Sequence, residues 1–404
     1  AAVFDTVILG SNPSAPANEM EKLSKNINFY QKIKKIFFPF YRSKNIKILF
    51  NLLEKDKSKD SQVAMFVGGC VRKFLNNELI DDIDIATIFS PDEIKEKLKD
   101  SNIKIIDTGI EHGSMTVIVN SDKFEITTLR QDTETDGRHA DVAFIDSWKQ
   151  DSQRRDFTIN AIYMNSRGKI YDPQSGREDL KNNKINFIGN PSTRIEEDYL
   201  RIIRYLRFCV QYNIKHSDPK IINAIKLNLN GIKSLSKERI LNELYKIFNL
   251  KNINIILENE EIKNIFLLIF PEFKYLKRIE KYTFYKNPEL IFSILLIDEK
   301  DNYEYFCHKY KVSNNLRKSL SFNANNYIKL KEEKNFLKKD LKKNIYNHGK
   351  ENIKSLIKFI YCAELKFSAK LLASLLNEVD RIEIPNFPFD GKYLKEQGLT
   401  EGKE

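Results

Sequence analysis

The sequence predicts an α+β protein, with a mixed sheet in an N-terminal head and an all-helical remainder. Short apolar runs with strand-like alternation are confined to residues 61–165. After about residue 190 the strand signals disappear, and apolar residues recur at helical spacing as far as Val379. Glycine and proline number 14 and 11 in 404 residues, about half the usual share of roughly 12%. So few breakers favour long helices.

The elements of the head follow from its apolar pattern. Residues 20–60 are lysine-rich with apolar residues at helical spacing, which predicts one or two helices. An apolar run ends in Gly68-Gly69, which predicts a strand, a tight turn and a helix over 70–76. Ser90-Pro91 supplies a cap and a first-turn proline for a helix reaching about residue 100. Further strands are predicted at 79–89, 103–107, 115–120, 124–129 and 142–146, with a polar loop over 131–140 and a helix over 149–163.

The remainder begins with three well-marked helices, over 196–212, 219–227 and 236–248. Lysine and arginine exceed aspartate and glutamate by 67 to 56, giving a net charge of +11. This excess indicates a polyanionic partner such as nucleic acid, although a lysine-rich proteome explains the charge equally well. The same two interpretations apply to the lysine-rich stretch 329–354: an RNA contact or a solvated helix face.

Several classes of protein are excluded by composition. An apolar content of 41% excludes a mainly disordered chain, and no run approaches the ~18 apolar residues of a membrane span. The four cysteines are far apart and have neither zinc nor redox spacing. We therefore expect a reducing compartment, the cytoplasm or, in a eukaryote, the mitochondrial matrix. Residues 1–19 lack a cationic segment and are predicted to be a leader or linker outside the fold.

Two carboxylates on a predicted strand are the first candidates for chemistry. Asp82 and Asp84 are two residues apart, so they leave the same face while Ile83 and Ile85 enter the core. Adjacent carboxylates repel each other unless a cation joins them, and hard oxygen ligands suit Mg²⁺. Glu125, on a later strand, is a candidate third carboxylate. A lone Asp-x-Asp is more often a surface feature, but a glycine pair precedes this one by about 13 residues.

The Gly68-Gly69 turn and a later polar cluster suit phosphate and ribose. The turn lets backbone N–H groups approach a phosphate at the start of a helix. In the predicted helix 149–163, Arg155 has the fork geometry that suits phosphate oxygens. Asp156 and Asn160 lie beside it and suit ribose hydroxyls. An ordinary amphipathic helix with a surface ion pair is the alternative.

The predicted helix 197–212 carries a polar ridge opposite its apolar stripe. Asp198, Arg201 and Arg204 are spaced i, i+3, i+6 on one face. An acceptor beside a donor fork matches the Watson–Crick edges of cytosine and adenine, which present an amino group next to a ring nitrogen. Uracil and guanine present the reverse order and would be rejected. The alternative is a common helical ion pair of little consequence.

Eight motifs occur in order along the first 250 residues. They are Phe-Val-Gly-Gly-Cys-Val-Arg (66–72), Asp-Ile-Asp-Ile-Ala-Thr (82–87), His-Gly (112–113), Phe-Glu-Ile-Thr-Thr-Leu-Arg (124–130), Asp-Gly-Arg-His-Ala (136–140), Arg-Arg-Asp-Phe-Thr-Ile-Asn-Ala (154–161), Glu-Asp-Tyr-Leu-Arg (197–201) and Ser-Lys-Glu-Arg (236–239) with Glu243. As a set they resemble the class II CCA-adding tRNA nucleotidyltransferases of the polymerase β superfamily.

The resemblance implies a domain order and a set of site residues. It implies a polymerase-β-like nucleotidyltransferase head (20–165), a neck that recognises the base (166–250), a body (251–330) and a tRNA-binding tail (331–404). Asp82 and Asp84 would hold two Mg²⁺ ions, with Glu125 as a further catalytic residue. The implied nucleotide-binding residues are Gly68, Gly69, Arg72, Arg155, Asp156, Asn160, Asp198, Arg201 and Arg204. The implied flexible loop contains Arg130, Asp136, Gly137 and Arg138.

The implied activity is template-independent addition of C, C and A to the 3′ end of tRNA from CTP and ATP. The tRNA acceptor arm and elbow would be the macromolecular partner, with the enzyme a monomer or a homodimer. The alternatives are a poly(A) polymerase or an A-only-adding enzyme of the same family, or a catalytically silent RNA-binding homologue. Lys73 stands where the family usually has an acid, and Ser114 where it usually has threonine. The family usually runs past residues 402–404, so we expect either a short tail or a truncated or variant form.

Overall fold

The computed structural model describes residues 39–55, 58, 61–99, 101–135, 140–284, 286–333, 336–384 and 396–397. The chain divides into two compact units, Ala1–Ile269 and Phe270–Glu404. The predicted leader, residues 1–19, lies outside the described residues. In the described part, no helix is both long enough and apolar enough to cross a membrane.

A mixed seven-stranded sheet forms the centre of the first unit, in the order β3-β4-β5-β2-β1-β8-β9. Its neighbouring strands are antiparallel except β2 and β5, which are parallel. A separate hairpin is formed by β6 and β7. The strands are β1 Ala64–Val67, β2 Asp84–Thr87, β3 Lys104–Gly109, β4 Ser114–Val119, β5 Asp122–Thr128, β6 Arg130–Thr135, β7 Ala140–Phe144, β8 Tyr163–Met164 and β9 Ile170–Tyr171.

In the described residues, four helices flank these strands: α1 Lys44–Leu53, α2 Gly69–Leu75, α3 Pro91–Leu98 and α4 Trp148–Gln153. The predicted apolar face of α1 is confirmed, since Ile46, Phe50 and Leu53 are buried in the main core of the sheet. The predicted start of α3 is also confirmed. Ser90 and Glu93 form a capping box there, which satisfies backbone donors at the helix start.

Three predictions for the head are wrong in extent. The strand predicted at 79–89 is reduced to β2, so Asp82 precedes the strand, and Leu79 is 66% exposed rather than packed in the core. The polar loop predicted at 131–140 contains strand β6 up to Thr135, which pairs with β7 despite its polar sequence.

The helix predicted over 149–163 ends at Gln153. Beyond it, the Thr158 backbone N–H donates to the Asn186 carbonyl at 3.0 Å, and Phe157 forms a β-bridge with Phe187. A 3-10 turn over Thr158–Asn160 follows. Tertiary partners therefore take the backbone groups that a continuous helix would have used.

After β9 the first unit is helical. The helix predicted over 196–212 is interrupted at Asp198, whose φ of −155° is extended, and its buried stripe lies on the second segment. The helices predicted over 219–227 and 236–248 are confirmed. The helices are α5 Gly176–Lys181, α6 Pro191–Glu197, α7 Leu200–Gln211, α8 Pro219–Asn228, α9 Lys237–Phe248, α10 Ile255–Glu258 and α11 Glu260–Ile269.

The second unit is helical throughout its described residues. Its core is built around α12, in which seven consecutive residues from Leu290 are buried, as its continuous apolar sequence requires. The helices are α12 Pro288–Leu296, α13 Asn302–Tyr310, α14 Asn314–Glu332, α15 Phe336–Lys339, α16 Leu341–His348, α17 Lys350–Ala363 and α18 Ala369–Arg381. The prediction of a sheet-based head followed by helices is therefore confirmed.

Candidate active site

The turn between β1 and α2 lies directly against a carboxylate of the sheet. Gly68 has a φ of +71°, which favours glycine. A Cβ atom on Gly68 would lie 3.6 Å from Asp84 Oδ2, and one on Gly69 would lie 3.9 Å from the same oxygen. The backbone of the turn therefore lies close to Asp84.

Three carboxylates gather at the start of β2. Asp84 begins the strand, Asp82 is exposed just before it, and Glu125 stands opposite Asp84 in the parallel register of β5. Burial raises the pKa of Asp84, and the charges of Asp82 and Glu125 raise it further, against the lowering effect of Arg155. A site that resists the ionisation of its own carboxylate is suited to a cation.

Glu125 has a second contact, because it accepts a hydrogen bond from the Thr116 hydroxyl at 2.7 Å. Within the described residues, no three His, Cys, Asp or Glu side chains form a group that could hold a metal ion. The assignment of metal binding to Asp82 and Asp84, and of a catalytic role to Glu125, stays a prediction.

Arg155 is held from one side by a buried acid that sequence reasoning missed. Asp151 Oδ2 accepts from Arg155 Nη2 at 3.0 Å and from the Tyr163 hydroxyl at 2.6 Å. Asp151 Oδ1 accepts from Arg154 Nε at 2.8 Å. Burial by itself raises the Asp151 pKa, but the two arginines outweigh it and bring the pKa down from 3.8 to about 2.

A chain of hydrogen bonds links α2 to α7 through the segment that follows α4. Arg72 Nη1 donates to Asn160 Oδ1, and Asn160 Nδ2 donates to Asp156 Oδ1 at 2.8 Å. Asp156 Oδ2 accepts from Arg204 Nε at 2.8 Å. Burial raises the pKa of Asp156, but Arg204 and Asn160 outweigh it and the net shift is downward. Asp156 is therefore an anion held in this hydrogen-bond network, bonded directly to Arg204 and through Asn160 to Arg72.

The three ridge residues of the base-reading prediction each have a different partner. Asp198 accepts from Arg239 at 2.7 Å, and Arg201 Nη1 donates to Glu197 Oε2 at 2.5 Å. Arg204 pairs with Asp156 as described above. Asp198 lies in the break between α6 and α7. Asp198 and Arg201 therefore pair with other residues rather than with each other, and their role in reading the base stays a prediction.

Four residues around this chain were not singled out from the sequence as site residues. Arg194 Nη2 donates to the carbonyl oxygen of Arg155 at 2.7 Å, and the Tyr212 hydroxyl accepts from Arg72 Nε at 2.7 Å. Asp151 and Tyr163 complete the set. The only usable signal was the i, i+4 spacing of Asp151 and Arg155 on a predicted helix, which is common.

Lys73 forms an ion pair with Asp81. Asp81 Oδ1 also accepts the backbone N–H of Asp82 at 3.0 Å. The residue that departs from the family pattern therefore contacts the segment that carries Asp82, rather than the carboxylates themselves.

The predicted flexible loop is described only at its base. The Arg130 guanidinium donates to the carbonyl of His112, and a Cβ atom on Gly113 would lie 2.6 Å from the Phe144 ring. The His112-Gly113 motif thus packs against the base of the β6–β7 hairpin. Asp136, Gly137 and Arg138 lie outside the described residues.

Comparison with known proteins gives this arrangement a context. The profile of the family described as "Poly A polymerase head domain" matches residues 64–186. The mitochondrial CCA tRNA nucleotidyltransferase 1 of Homo sapiens is 32% identical over 393 residues, covering 95% of this chain and 88% of the human protein. The CCA-adding enzyme of Staphylococcus saprophyticus is 35% identical over 317 residues, 76% of each chain.

This chain belongs to the CCA-adding tRNA nucleotidyltransferase family. It is therefore a nucleotidyltransferase, as the motifs predict. Its fold is similar to that of the Bacillus stearothermophilus CCA-adding enzyme in complex with CTP, with a TM-score of 0.68 and 22% identity over 89% of this chain and 90% of that one. The assignment of the catalytic site to the carboxylates near the Gly-Gly turn stays a prediction.

Proposed function

We propose that this nucleotidyltransferase adds C, C and A to the 3′ end of tRNA, using CTP and ATP. The observation that carries the proposal is the convergence, in one unit, of the Asp84 carboxylate, the Gly-Gly turn and the Arg155 guanidinium. A phosphate-gripping arginine beside a clustered pair of acids is the arrangement that nucleotidyl transfer requires. The similarity to named CCA-adding enzymes, which covers 76–95% of this chain, supports the same substrate.

Asp82 and Asp84 are proposed to bind the metal ions that act on the attacking and leaving groups of the reaction. Asp82 and Asp84 would hold two Mg²⁺ ions, which would supply activation of the tRNA 3′-hydroxyl and stabilise the leaving pyrophosphate. The raised pKa of Asp84 fits this role, because a bound cation would relieve the repulsion from Asp82 and Glu125. The exposure of Asp82 leaves that carboxylate accessible to a substrate-bound cation.

The arginine and the asparagine are proposed to orient the nucleotide. Arg155 is anchored through Nε and Nη2, while Nη1 lies 4.0 Å from the position of a Cβ on Gly68. It therefore presents its remaining edge to the turn, where a triphosphate would lie. Asp156 and Asn160, fixed between Arg72 and Arg204, would contact the ribose.

Base selection is assigned to Asp198 and Arg201. Asp198 Oδ1 accepts the Leu200 N–H at 3.1 Å and Oδ2 accepts from Arg239. A carboxylate has about four acceptor positions, so the amino group of cytosine or adenine can still donate to it. Both described contacts of the Arg201 guanidinium use Nη1, and its other N–H groups can donate to the ring nitrogen of the base.

The tRNA would be held mainly by charge and shape. The net charge of +11 and the exposed lysines of α15 and α16 suit the phosphates of the acceptor arm and elbow. We place the enzyme in the cytoplasm or the mitochondrial matrix, where tRNA and nucleoside triphosphates occur together. A monomer or a homodimer is compatible with this role.

A poly(A) polymerase is the second candidate, because the matching head profile carries that description. Incubation with tRNA that lacks its CCA end separates the candidates. The proposal predicts two added residues with CTP alone and three with CTP and ATP. A single A added only to tRNA ending in CC would indicate an A-adding enzyme, and long A tracts would indicate a poly(A) polymerase. No extension of any tRNA would indicate a silent RNA-binding homologue.

A further inference from the structure

The buried acid Asp151 is placed to control the direction of Arg155. Its side chain is fully buried, and both of its oxygens are occupied by donors. Oδ1 accepts from Arg154 Nε at 2.8 Å and from the Arg130 backbone N–H at 3.3 Å. Oδ2 accepts from Arg155 and from Tyr163. This carboxylate therefore joins the segment that carries Arg154 and Arg155 to the base of the β6–β7 hairpin.

The contacts with Arg155 are directional. Asp151 Oδ2 takes Nη2 at 3.0 Å and Nε at 3.3 Å, so the Nε–Nη2 edge of the guanidinium faces the acid. The Tyr163 hydroxyl also accepts from Nε, at 3.1 Å. A planar guanidinium fixed along one edge has its opposite nitrogen fixed as well. That nitrogen, Nη1, is the one beside Gly68.

We propose that Asp151 is a positioning residue for nucleotide binding: it holds Arg155 so that Nη1 points to the triphosphate position at the Gly-Gly turn. The inference rests on the proposed nucleotide site, and it assigns a role to a residue that does not itself touch the nucleotide. Two further acceptors nearby, the carbonyl oxygens of Arg154 and Arg155, are taken by Arg194. The backbone of the segment is thereby fixed while Asp151 fixes the side chain.

A double-mutant cycle on CTP binding tests the proposal. Asp151→Asn keeps the size of the side chain but turns an amide N–H towards one of the donors. We expect it to raise the Kd for CTP about tenfold, equivalent to about 1.4 kcal/mol. Arg155→Ala should raise the Kd at least as much, and the double variant should match Arg155→Ala alone, because Asp151 acts only through Arg155. Additive losses would overturn the proposal.

Two controls separate positioning from stability. Glu272→Gln alters an acid that is also buried and ion-paired, to Lys309, but lies in the second unit; it should lower the Tm and leave the Kd for CTP unchanged. Asp151→Glu keeps the buried charge and displaces the carboxylate, so it covers the case in which Asp151→Asn does not fold. We expect it also to weaken CTP binding. A lowered Tm with an unchanged Kd in either Asp151 variant would contradict positioning.

The binding measurement needs no tRNA, so it is independent of the addition reaction. The unaltered enzyme is assayed in parallel on tRNA that lacks its CCA end. If that enzyme binds CTP but extends no tRNA, the proposed function fails while the cycle still decides the role of Asp151.

Discussion

At the scale of single residues, the pKa values of three carboxyl groups in the site shift in different directions. Burial and neighbouring acids raise the pKa of Asp84, whereas arginines overcome the effect of burial at Asp151 and Asp156 and lower their pKa values. A raised carboxylate pKa means that ionisation is unfavourable in the folded protein. The charge of Asp84 therefore does not contribute to the stability of the fold.

Asp84→Asn should abolish nucleotide incorporation and leave the Tm unchanged or higher. The variant removes a proposed metal ligand, which costs several kcal/mol of barrier, and it also removes the repulsion from Asp82 and Glu125. Asp82→Ala should abolish incorporation as well, with tRNA binding retained in both variants. The measurements are incorporation from radiolabelled CTP with Mg²⁺ and the thermal midpoint. Near-normal turnover in either variant would contradict the metal assignment.

The charge of Asp151, unlike that of Asp84, stabilises the folded protein. Its pKa is lowered from 3.8 to about 2 in the folded protein, so its contribution to stability is present above about pH 4 and is lost as the pH falls towards 2. The free energies of unfolding of the unaltered enzyme and Asp151→Asn should therefore differ most near neutral pH and converge below pH 4. Chemical denaturation between pH 7 and pH 2 measures the difference. A constant difference would show that the Asp151 charge is not what stabilises this cluster.

Asp198→Ala should weaken discrimination between CTP and UTP. The carboxylate that accepts the amino group of the base is lost, and the carbonyl of uracil no longer faces it. Each such contact is worth about 1–3 kcal/mol, so the ratio of kcat/KM for CTP and UTP should fall by about ten- to a hundredfold. The assay uses tRNA that ends before its CCA.

Asp218→Ala is the matched control for this prediction. Like Asp198, Asp218 accepts a backbone N–H at the start of a helix of the first unit, that of Lys220 at 2.8 Å, so its loss should cost stability without altering the ratio. A retained CTP preference in folded Asp198→Ala would show that the base is read elsewhere.

At the scale of elements, the β1–α2 turn is the feature that brings backbone and carboxylate together. Gly68 combines a positive φ with a neighbour, Asp84, in contact distance of any added Cβ. Gly189 has a similar φ of +79° but nothing within 4 Å of an added Cβ. Substituting each glycine therefore distinguishes the effect of backbone strain, which both share, from that of contact with Asp84, which only Gly68 has.

Gly68→Ala should lower the rate of nucleotide incorporation at least tenfold more than Gly189→Ala does. Both variants should lose about 1 kcal/mol of stability, because alanine disfavours the left-handed backbone conformation. The added methyl group at residue 68 stands between the turn and Asp84, where the phosphate is proposed to lie. Single-turnover incorporation and chemical denaturation measure the two effects. Equal activity in both variants would place the phosphate away from this turn.

At the scale of the whole molecule, charge is the property available for gripping tRNA. Lysines 338, 339, 342 and 343 are exposed on α15 and α16. They flank buried Leu337 and Leu341, which hold these helices to the second unit's core. Lys339 is ion-paired with Glu333 on the surface, a contact of little energetic weight in water.

Replacing these four lysines by glutamate should flatten the dependence of tRNA affinity on salt. Each neutralised phosphate contributes roughly 0.7–0.9 to the slope of log affinity against log salt concentration. Each phosphate contact that is lost should therefore lower the slope by that amount. The control replaces Lys44, Lys47, Lys99 and Lys123, four exposed lysines of the first unit, and gives the same net charge. Equal slopes in the two quadruple variants would mean that α15 and α16 are merely solvated.

The sequence by itself determined the features that depend on near neighbours. The burial of Ile85 beside Asp84, the Gly68-Gly69 turn and the capped start of α3 are all decided within a few residues, and so is the helical character of the second unit. The order of strands before helices could also be predicted, because the spacing of apolar residues changes from every second residue to about every 3.6 residues. Together with the motifs, these local signals identified the family and most of the candidate site residues.

Only the tertiary structure decided where the helices around the site end and which partners their charges have. Arg72 bonds to Tyr212, 140 residues away, and Asp156 bonds to Arg204, 48 residues away. The end of α4, the break at Asp198 and the burial of Asp151 all depend on such distant groups. A helical period continues through these positions in the sequence. It is interrupted in the fold because long-range hydrogen bonds and ion pairs there outweigh local helix propensity.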